Sequence, residues 1–183
     1  MSTSLNFDPN GLYIVLSDIG AIDRFHWGLY LATSEDIGVI FHLTNPPNSS
    51  EWIYETRTTS NMRQSVNLLV ATKIAVIDPV LGGIMPDRLA QIPIQYSARF
   101  REDITCRVWL KEALFALDEE GFIKLTASVD DVENESKVAA LTNKFQRTKG
   151  VIKSGPCGTL PTGRKKFNNA ACFMISPQQL IQP

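Results

Sequence analysis

Apolar and polar residues alternate with a period of two in two neighbouring segments, and this alternation constrains the fold more than any other feature of the sequence. Apolar side chains occupy every second position of residues 25–33, with His26 and Gly28 between them, and residues 39–44 place His42 between two apolar residues. Because successive side chains of a strand point to opposite faces, the pattern predicts two strands joined by a hairpin turn. A register with both histidines on one face would bring the two rings together, and Gly28 would leave room for a close approach.

Further strands are predicted on both sides of this hairpin. Residues 12–17 are apolar and β-branched, residues 52–58 alternate again after a proline-containing turn, and residues 65–78 predict one or two more strands. The strands therefore precede the helices along the chain. This order is typical of an α+β fold in which a mainly antiparallel sheet packs against helices, and not of a β-α-β alternation.

Helices are predicted from residue 86 onward. Residues 79–86, which contain two adjacent glycines, predict a loop, and residues 86–91 predict one short helix before the next proline. Residues 130–147 carry an apolar stripe among charged residues and predict a long helix.

The segment 101–118 predicts a helix with Cys106 in its first turn. Thr105, or Asp103 two residues earlier, is the predicted N-cap, and Gly121 suits the position just after the helix. Helical spacing predicts one buried stripe, made of Trp109, Leu110, Ala113, Leu114 and Leu117. Cys106 shares this stripe. Its thiol would meet the partial positive charge and the free N–H groups of the helix N-terminus, both of which favour the thiolate.

Composition and charge argue against several classes of protein. The chain has 183 residues, of which 44% are hydrophobic and 20% charged, and this predicts one globular domain over residues 1–150. A net charge of −1 gives no basic excess for binding DNA. No apolar segment approaches the roughly 20 residues that span a bilayer, and the first ten residues lack a signal-peptide pattern. We therefore expect a cytoplasmic protein without a membrane span.

Residues 151–183 change in character and predict an irregular or mobile C-terminal tail. The basic run at 164–166 is interpreted as a solvated patch. Cys157 and Cys172 lie in this tail, and with Cys106 they make three cysteines. Such a low, odd number argues against a disulfide framework and favours a reducing compartment.

Cys106, His26 and His42 form the candidate catalytic set. A cysteine nucleophile needs a base, and the base needs a polar group that fixes its ring. The alternative is that each histidine is a structural residue and that the cysteine is a small apolar core residue. Two histidines and a cysteine are also zinc ligands, but the chain has neither CxxC nor HxxxH spacing. None of the three residues needs a metal, so no cofactor is predicted.

A family resemblance lies in two segments, which are His26-Trp27-Gly28-Leu29-Tyr30-Leu31 and Val39-Ile40-Phe41-His42-Leu43. Over residues 11–120 the chain resembles the lecithin:retinol acyltransferase-like proteins, in which a His-Trp-(Gly/Ala)-(Ile/Leu)-Tyr strand precedes a second histidine strand and a helix that begins with cysteine. The order His, His, Cys is that of the circularly permuted NlpC/P60 papain-like fold. The resemblance implies that Cys106 is the nucleophile, His26 the base and His42 the residue that orients the base.

The resemblance also implies a reaction through an acyl-Cys106 intermediate. The acyl group would pass to water in a hydrolase, or to an amine or alcohol in a transferase, including amide or peptide formation from an activated acyl or aminoacyl donor. Around the cysteine this chain has Thr105-Cys106-Arg107-Val108-Trp109 where the family has Asn-Cys-Glu-His-Phe. We expect no C-terminal membrane helix of the kind found in animal members, and we expect the acyl donor and acceptor to be small molecules.

Several alternatives stay open. Glu55 and Tyr54 are further candidates for the third catalytic residue. Asp18 and Trp52 are interpreted either as lining of a pocket or as ordinary turn and core residues. The alternative functions are a non-catalytic binding module on a papain-like fold and a permuted papain-type cysteine peptidase or deubiquitinase. Nothing in the sequence predicts an oligomeric state.

Overall fold

Strands form where the sequence alternates, and helices form where apolar residues recur every three to four positions. A computed structural model describes residues 5–47 and 49–155 of the chain. A 3-10 turn, Met62–Gln64, lies between the fourth and fifth strands. In chain order the strands and helices are β1 (Gly11–Asp18), β2 (Phe25–Ala32), β3 (Gly38–Thr44), β4 (Ile53–Thr59), β5 (Leu68–Val76), α1 (Pro79–Ala90), α2 (Cys106–Glu119), α3 (Val129–Gln146) and β6 (Gly150–Lys153).

The strands form one mixed sheet in the order β4-β3-β2-β1-β5-β6. Neighbouring strands are antiparallel in every pair except β5 and β6, which are parallel. The three helices lie between β5 and β6 in the chain, which gives the long crossover that a parallel pair requires. The predicted α+β fold is confirmed. The predicted antiparallel sheet needs one correction, the parallel pair at its edge.

Both faces of the sheet bury apolar side chains. One face contributes Trp27, Leu29 and Phe41 to the main core, which also contains the buried stripe of α2. The other face carries Tyr13 and Tyr30 in a second core. By alternation, His26 and His42 belong to this second face, opposite to the face that packs against α2.

Helix α1 begins at Pro79, so the predicted loop at 79–86 was wrong. Asp78 caps the helix, because its carboxylate accepts a hydrogen bond of 2.8 Å from a first-turn N–H. Proline suits the first helical position, where its missing donor has no cost. Pro86 lies inside the helix and removes one internal donor. Burial of Met85 in the main core stabilises the helix despite its glycines.

Helix α2 begins at Cys106. Of the two predicted N-caps, Thr105 and Asp103, Thr105 is the one observed. The Thr105 hydroxyl accepts a hydrogen bond from the Val108 N–H at 3.2 Å. The predicted buried stripe is confirmed, since Trp109 and the four other residues predicted with it have 0% exposure. Gly121 follows the helix with a φ of +79°, a conformation that glycine adopts without strain.

Ion pairs hold the start of α3 against α2. Nζ of Lys111 lies 2.8 Å from Asp130 Oδ1 and 2.9 Å from Glu133 Oε2. The Lys111 side chain is only 6% exposed, so these carboxylates compensate a nearly buried charge. This network places α3, and with it the following strand, at the β5 side of the sheet.

The chain continues from α3 into β6, so residues 151–153 form a strand where the irregular tail was predicted to begin. The Ser154 N–H then donates to the Lys73 carbonyl at 2.9 Å, which extends the contact with β5 by one residue. The remaining predictions for the tail, including Cys157, Cys172 and the basic run at 164–166, lie outside the described residues. Among the helices of residues 5–47 and 49–155, none combines the length and the apolar character needed to cross a membrane.

Candidate functional site

The two histidines meet on the second face of the sheet. Gly28 lies opposite His42 in the pairing of β2 with β3, which places His26 diagonally across from His42. Nε2 of His26 is 2.6 Å from Nδ1 of His42, and the planes of the two rings are 76° apart. A hydrogen bond therefore joins the predicted base to the predicted orienting residue, and the expected proximity of the two rings is confirmed.

Gly28 provides the space for this contact. A Cβ atom at residue 28 would lie 3.2 Å from the Phe41 carbonyl oxygen and 3.3 Å from Cβ of His42. Both distances are tighter than ordinary van der Waals contact. A larger residue would therefore press on the strand segment that carries His42.

Glu55 of β4 lies beyond His42 on the same face. The two residues are direct partners in the pairing of β3 with β4, and Glu55 Oε2 is 3.9 Å from Nε2 of His42. This nitrogen is buried and makes no hydrogen bond within the described residues. His26, His42 and Glu55 thus form a row across three adjacent strands, with the carboxylate on the edge strand.

Tyr54, the other candidate for the third residue, belongs to the opposite face. Its hydroxyl donates to the Pro86 carbonyl at 3.1 Å, and its ring packs against Trp109 with 5.5 Å between the ring centroids. The structure therefore brings Glu55 to the histidine pair and places Tyr54 in the main core.

Burial lowers the pKa of both imidazoles. Desolvation is the largest cause for His42, and with the nearby His26 it lowers the pKa to about 4, although the Glu55 carboxylate acts in the other direction. Desolvation also lowers the pKa of His26, again against Glu55. Near pH 7 both rings are therefore neutral, and one donates to the other through a single proton.

Cys106 is the first residue of α2 and is 7% exposed. Burial raises the pKa of its thiol, while backbone N–H groups, including those of Trp27 and Arg107, lower the pKa by a smaller amount. The N–H groups at the helix N-terminus do favour the thiolate, as predicted, but desolvation outweighs them, so the net shift of the thiol pKa is upward. Cys106 is a neutral thiol at neutral pH.

Two backbone N–H groups at the start of α2, those of Cys106 and Arg107, lie beside the thiol and are among the groups that lower its pKa. The Trp109 N–H donates to the Thr105 carbonyl at 2.9 Å and starts the helical pattern, so the N–H groups of Cys106 and Arg107 precede the first intrahelical bond. N–H groups in this position also stabilise negative charge on a bound oxygen.

Cys106 and His26 line the same cavity, which has a volume of about 390 Å³. The cavity contacts three consecutive residues of β2, 25–27, so at the start of this strand it reaches side chains of both faces. This explains how the two residues share a cavity although β2 directs their side chains to different faces. No hydrogen bond joins the Cys106 sulfur to either imidazole in the described part of the chain.

Asp18 and Trp52 were each predicted either as pocket lining or as an ordinary turn or core residue, and the structure gives them different roles. Trp52 lines the cavity. Asp18 accepts hydrogen bonds from Lys144 Nζ at 2.6 Å and from the Gly20 N–H at 2.8 Å, so it has the alternative role of a turn residue.

The sequence did not predict several residues of the cavity wall, among them the basic residues Arg24 and Lys137. Arg24 directly precedes β2, and this position was the available signal, since residues at the start of β2 adjoin His26. Nothing in the sequence pointed to Lys137, because the sequence pattern of α3 does not show which of its charged residues lie beside the cavity.

No group of three or more His, Cys, Asp and Glu residues in 5–47 and 49–155 could hold a metal ion. The zinc alternative therefore has no ligand set in those residues.

Comparison with known proteins gives a family but no activity. Neither a curated protein nor a solved structure matches the chain. A family of unknown function, DUF6914, matches residues 10–150. The matched region includes β1 to β5, all three helices and the residues Cys106, His26 and His42. This protein therefore belongs to the family DUF6914.

Proposed function

We propose that this protein is a cysteine-dependent acyltransferase or hydrolase in which Cys106 is the nucleophile and His26 the base. One observation carries the proposal. The thiol and the imidazole line a common cavity, and the first two N–H groups of α2 lie beside the thiol. A nucleophile, a base and donors for an oxyanion are the three groups that acyl transfer needs.

The bond between the histidines decides which nitrogen of His26 serves as the base. Nε2 of His26 is held by His42, so Nδ1 is left to accept the thiol proton. The Glu55 carboxylate favours a proton on Nε2 of His42, which makes Nδ1 of His42 the acceptor and Nε2 of His26 the donor. In this tautomer Nδ1 of His26 has a free lone pair.

The proposed reaction has two steps. The thiol proton moves to Nδ1 of His26 as Cys106 Sγ attacks the carbonyl carbon. The carbonyl electron pair then moves to the oxygen, and the first N–H groups of α2 stabilise the resulting oxyanion. The oxyanion collapses, the bond to the leaving group breaks, and His26 returns the proton to that group. Water, an amine or an alcohol then attacks the acyl-cysteine, with His26 again moving the proton.

A neutral resting thiol is consistent with this sequence of events. The raised pKa of the thiol is consistent with a proton that stays on Cys106 until the acyl donor is bound. The sulfur and the imidazole come into hydrogen-bond contact when the acyl donor binds, since catalytic hydrogen bonds are often absent from free enzymes.

We extend the proposal to the finer fold, the circularly permuted NlpC/P60 papain-like fold. Two features support it. The histidine strands β2 and β3 precede the cysteine helix in the chain, and α2 packs against β2. The order of elements is therefore compatible with the implied family, although sequence comparison gives only DUF6914.

The second candidate is a binding module on the same fold without catalysis. The raised pKa of Cys106 and the missing hydrogen bond between its sulfur and His26 favour this candidate. It predicts that the cavity binds a small molecule and that Cys106 forms no covalent intermediate.

Intact-protein mass spectrometry distinguishes the two candidates. We would mix the protein with a panel of short acyl thioesters and p-nitrophenyl esters, quench within seconds, and measure the mass increase. The proposal expects one acyl group on the wild type and a strongly reduced yield for His26→Gln, whose side chain has a similar length but is no base.

Two controls define the result. The double variant Cys157→Ser/Cys172→Ser should be acylated like the wild type, and Cys106→Ala should not be acylated. Equal acylation of Cys106→Ala and the wild type would refute the proposal, and no acylation of any protein by the whole panel would favour the binding module.

A further inference from the structure

The wall of the candidate cavity carries more basic than acidic side chains. Arg24, Arg107 and Lys137 line it, and Asp23 is the only acidic lining residue in the described part of the chain. The net charge of the lining is therefore positive, in a protein whose formal net charge is −1.

The surrounding structure neutralises only one of the three cations. Arg107 forms ion pairs with Glu102 and with Glu133, the latter at 2.7 Å. Within residues 5–47 and 49–155, Arg24 and Lys137 make neither an ion pair nor a hydrogen bond. Two positive charges at the cavity are thus available to a ligand.

Part of the wall is apolar. Phe25 and Trp27 are buried in the main core where they border the cavity, and Trp52 is half-buried beside them. An apolar wall limits the water around a bound charge, so that nearby cations attract it more strongly than they would in bulk water.

We infer that the cavity selects anionic small molecules, and that the acyl donor of the proposed reaction carries a carboxylate or phosphate beside an apolar part. Arg24 and Lys137 bind the anionic group, and the aromatic wall binds the apolar part. The claim that the bound anion is the acyl donor rests on the proposed function. The claim that the cavity prefers anions rests on the cavity lining alone.

Two alkylating reagents test the charge selection at Cys106 itself. Iodoacetate and iodoacetamide both form a thioether with the cysteine and release iodide, but only iodoacetate is negatively charged at neutral pH. Peptide mass spectrometry would give the rate of alkylation at Cys106 separately from Cys157 and Cys172. The measured quantity is the ratio of the iodoacetate rate to the iodoacetamide rate.

The ratio should fall about threefold to tenfold in Arg24→Gln/Lys137→Gln at low ionic strength, because this variant removes two positive charges from the wall of the cavity that Cys106 lines. The matched control Lys124→Gln/Lys153→Gln removes two exposed lysines that do not line the cavity and should keep the wild-type ratio. High salt should bring the wild-type ratio toward that of the Arg24/Lys137 variant, because ions screen the attraction. An equal ratio in the wild type and in that variant would overturn the inference.

The outcome separates this inference from the proposed function. A lower ratio in the cavity variant together with no acyl-enzyme from any donor would support anion binding and refute acyl transfer. An acyl-enzyme together with an unchanged ratio would support acyl transfer and refute anion selection.

Discussion

His42 lies directly opposite Glu55 in the sheet, and its buried Nε2 is 3.9 Å from the nearer carboxylate oxygen. This distance exceeds a hydrogen bond, yet a carboxylate at this range favours a proton on the nitrogen that faces it. The other nitrogen of His42 must then accept the hydrogen bond from His26. Under the proposed mechanism, Glu55 would act as a positioning residue that favours this tautomer of His26 through His42.

The first prediction concerns Glu55→Gln. Loss of the carboxylate should weaken the preference for the Nε2–H tautomer of His42 and, under the proposed mechanism, reduce the acylation rate about tenfold, as for other outer residues that orient a histidine. Nitrogen NMR shifts of the two imidazoles report the tautomers directly. Because Glu55 raises the pKa of His26, its loss should also shift the acidic limb of the pH–rate profile to lower pH.

Glu51→Gln is the matched control, since it removes the same charge from an exposed position before β4. It should leave the imidazole shifts unchanged. Identical shifts in Glu55→Gln and the wild type would show that Glu55 does not set the tautomer.

The second prediction concerns Gly28→Ala. The added methyl group would meet the Phe41 carbonyl oxygen and Cβ of His42 at 3.2 and 3.3 Å, so that β3 must shift away from β2. We expect a loss of about 1–3 kcal/mol in the free energy of unfolding, as for other overpacked sites. The hydrogen bond between the histidines should weaken with it. Urea unfolding measures the first effect and imidazole NMR the second.

Gly83→Ala is the contrasting variant for this experiment. A Cβ at residue 83 meets nothing within 4 Å, and the residue lies inside α1. Alanine should therefore increase stability by up to about 1 kcal/mol through its higher helix propensity. A Gly28→Ala protein as stable as the wild type would disprove the close packing of β2 and β3 at this point.

The third prediction concerns pH and stability. The pKa of His42 is about 4 in the folded protein and 6.5 in the reference state, so the unfolded chain binds more protons between these values. The free energy of unfolding therefore rises with pH through this window and falls as the pH is lowered from about 6.5 toward 4. The lowered pKa of His26 acts in the same direction.

Urea unfolding near pH 7 and near pH 5 measures this dependence. The wild type should lose about 1–2 kcal/mol more than His42→Asn between the two conditions, because a shift of one pKa unit corresponds to about 1.4 kcal/mol. Carboxylates whose pKa is lowered, such as Asp18 and Glu120, lose their contributions mainly at more acidic pH. An equal loss in both proteins would contradict the neutral, buried state of His42.

The fourth prediction concerns Lys111→Met. This change leaves Glu133 in a nearly buried site without the ammonium group that lies 2.9 Å from its carboxylate. Because Arg107 still pairs with Glu133 at 2.7 Å, we expect a loss of about 1–3 kcal/mol in the free energy of unfolding, typical of removing one hydrogen-bond partner of a buried polar group. Arg63→Met removes a surface pair with Asp36, whose side chain is 67% exposed, and should cost less than about 1 kcal/mol. Equal losses in the two variants would show that the Lys111 network adds no more than a surface pair.

Elements beside the site were predictable from local chemistry. Thr105 was predicted as a cap because its hydroxyl can accept from a first-turn N–H, and it does so. The stripe of α2 followed from helical spacing, and alternation placed each histidine on the strand face opposite to its apolar neighbours, while their meeting on one face depended on the register of the hairpin.

Other elements depend on contacts that are distant in the chain. Two glycines and Pro86 weaken the local pattern of α1, and the helix forms because it buries Met85 and Leu89. Strand β6 has only four residues, and its pairing partner β5 lies before all three helices, so nothing in its own pattern indicated the parallel edge.

The order of residues was sufficient to predict the direction in which each side chain of β2, β3 and α2 points from its own backbone, because this follows from the backbone period of a strand or a helix. The packing of the whole fold was needed to place Gly28 and Glu55 opposite His42, to bring Cys106 and His26 to one cavity, and to raise the thiol pKa. Register is a property of two strands, and desolvation is a property of everything packed around a side chain. Neither property is contained in a local pattern of residues.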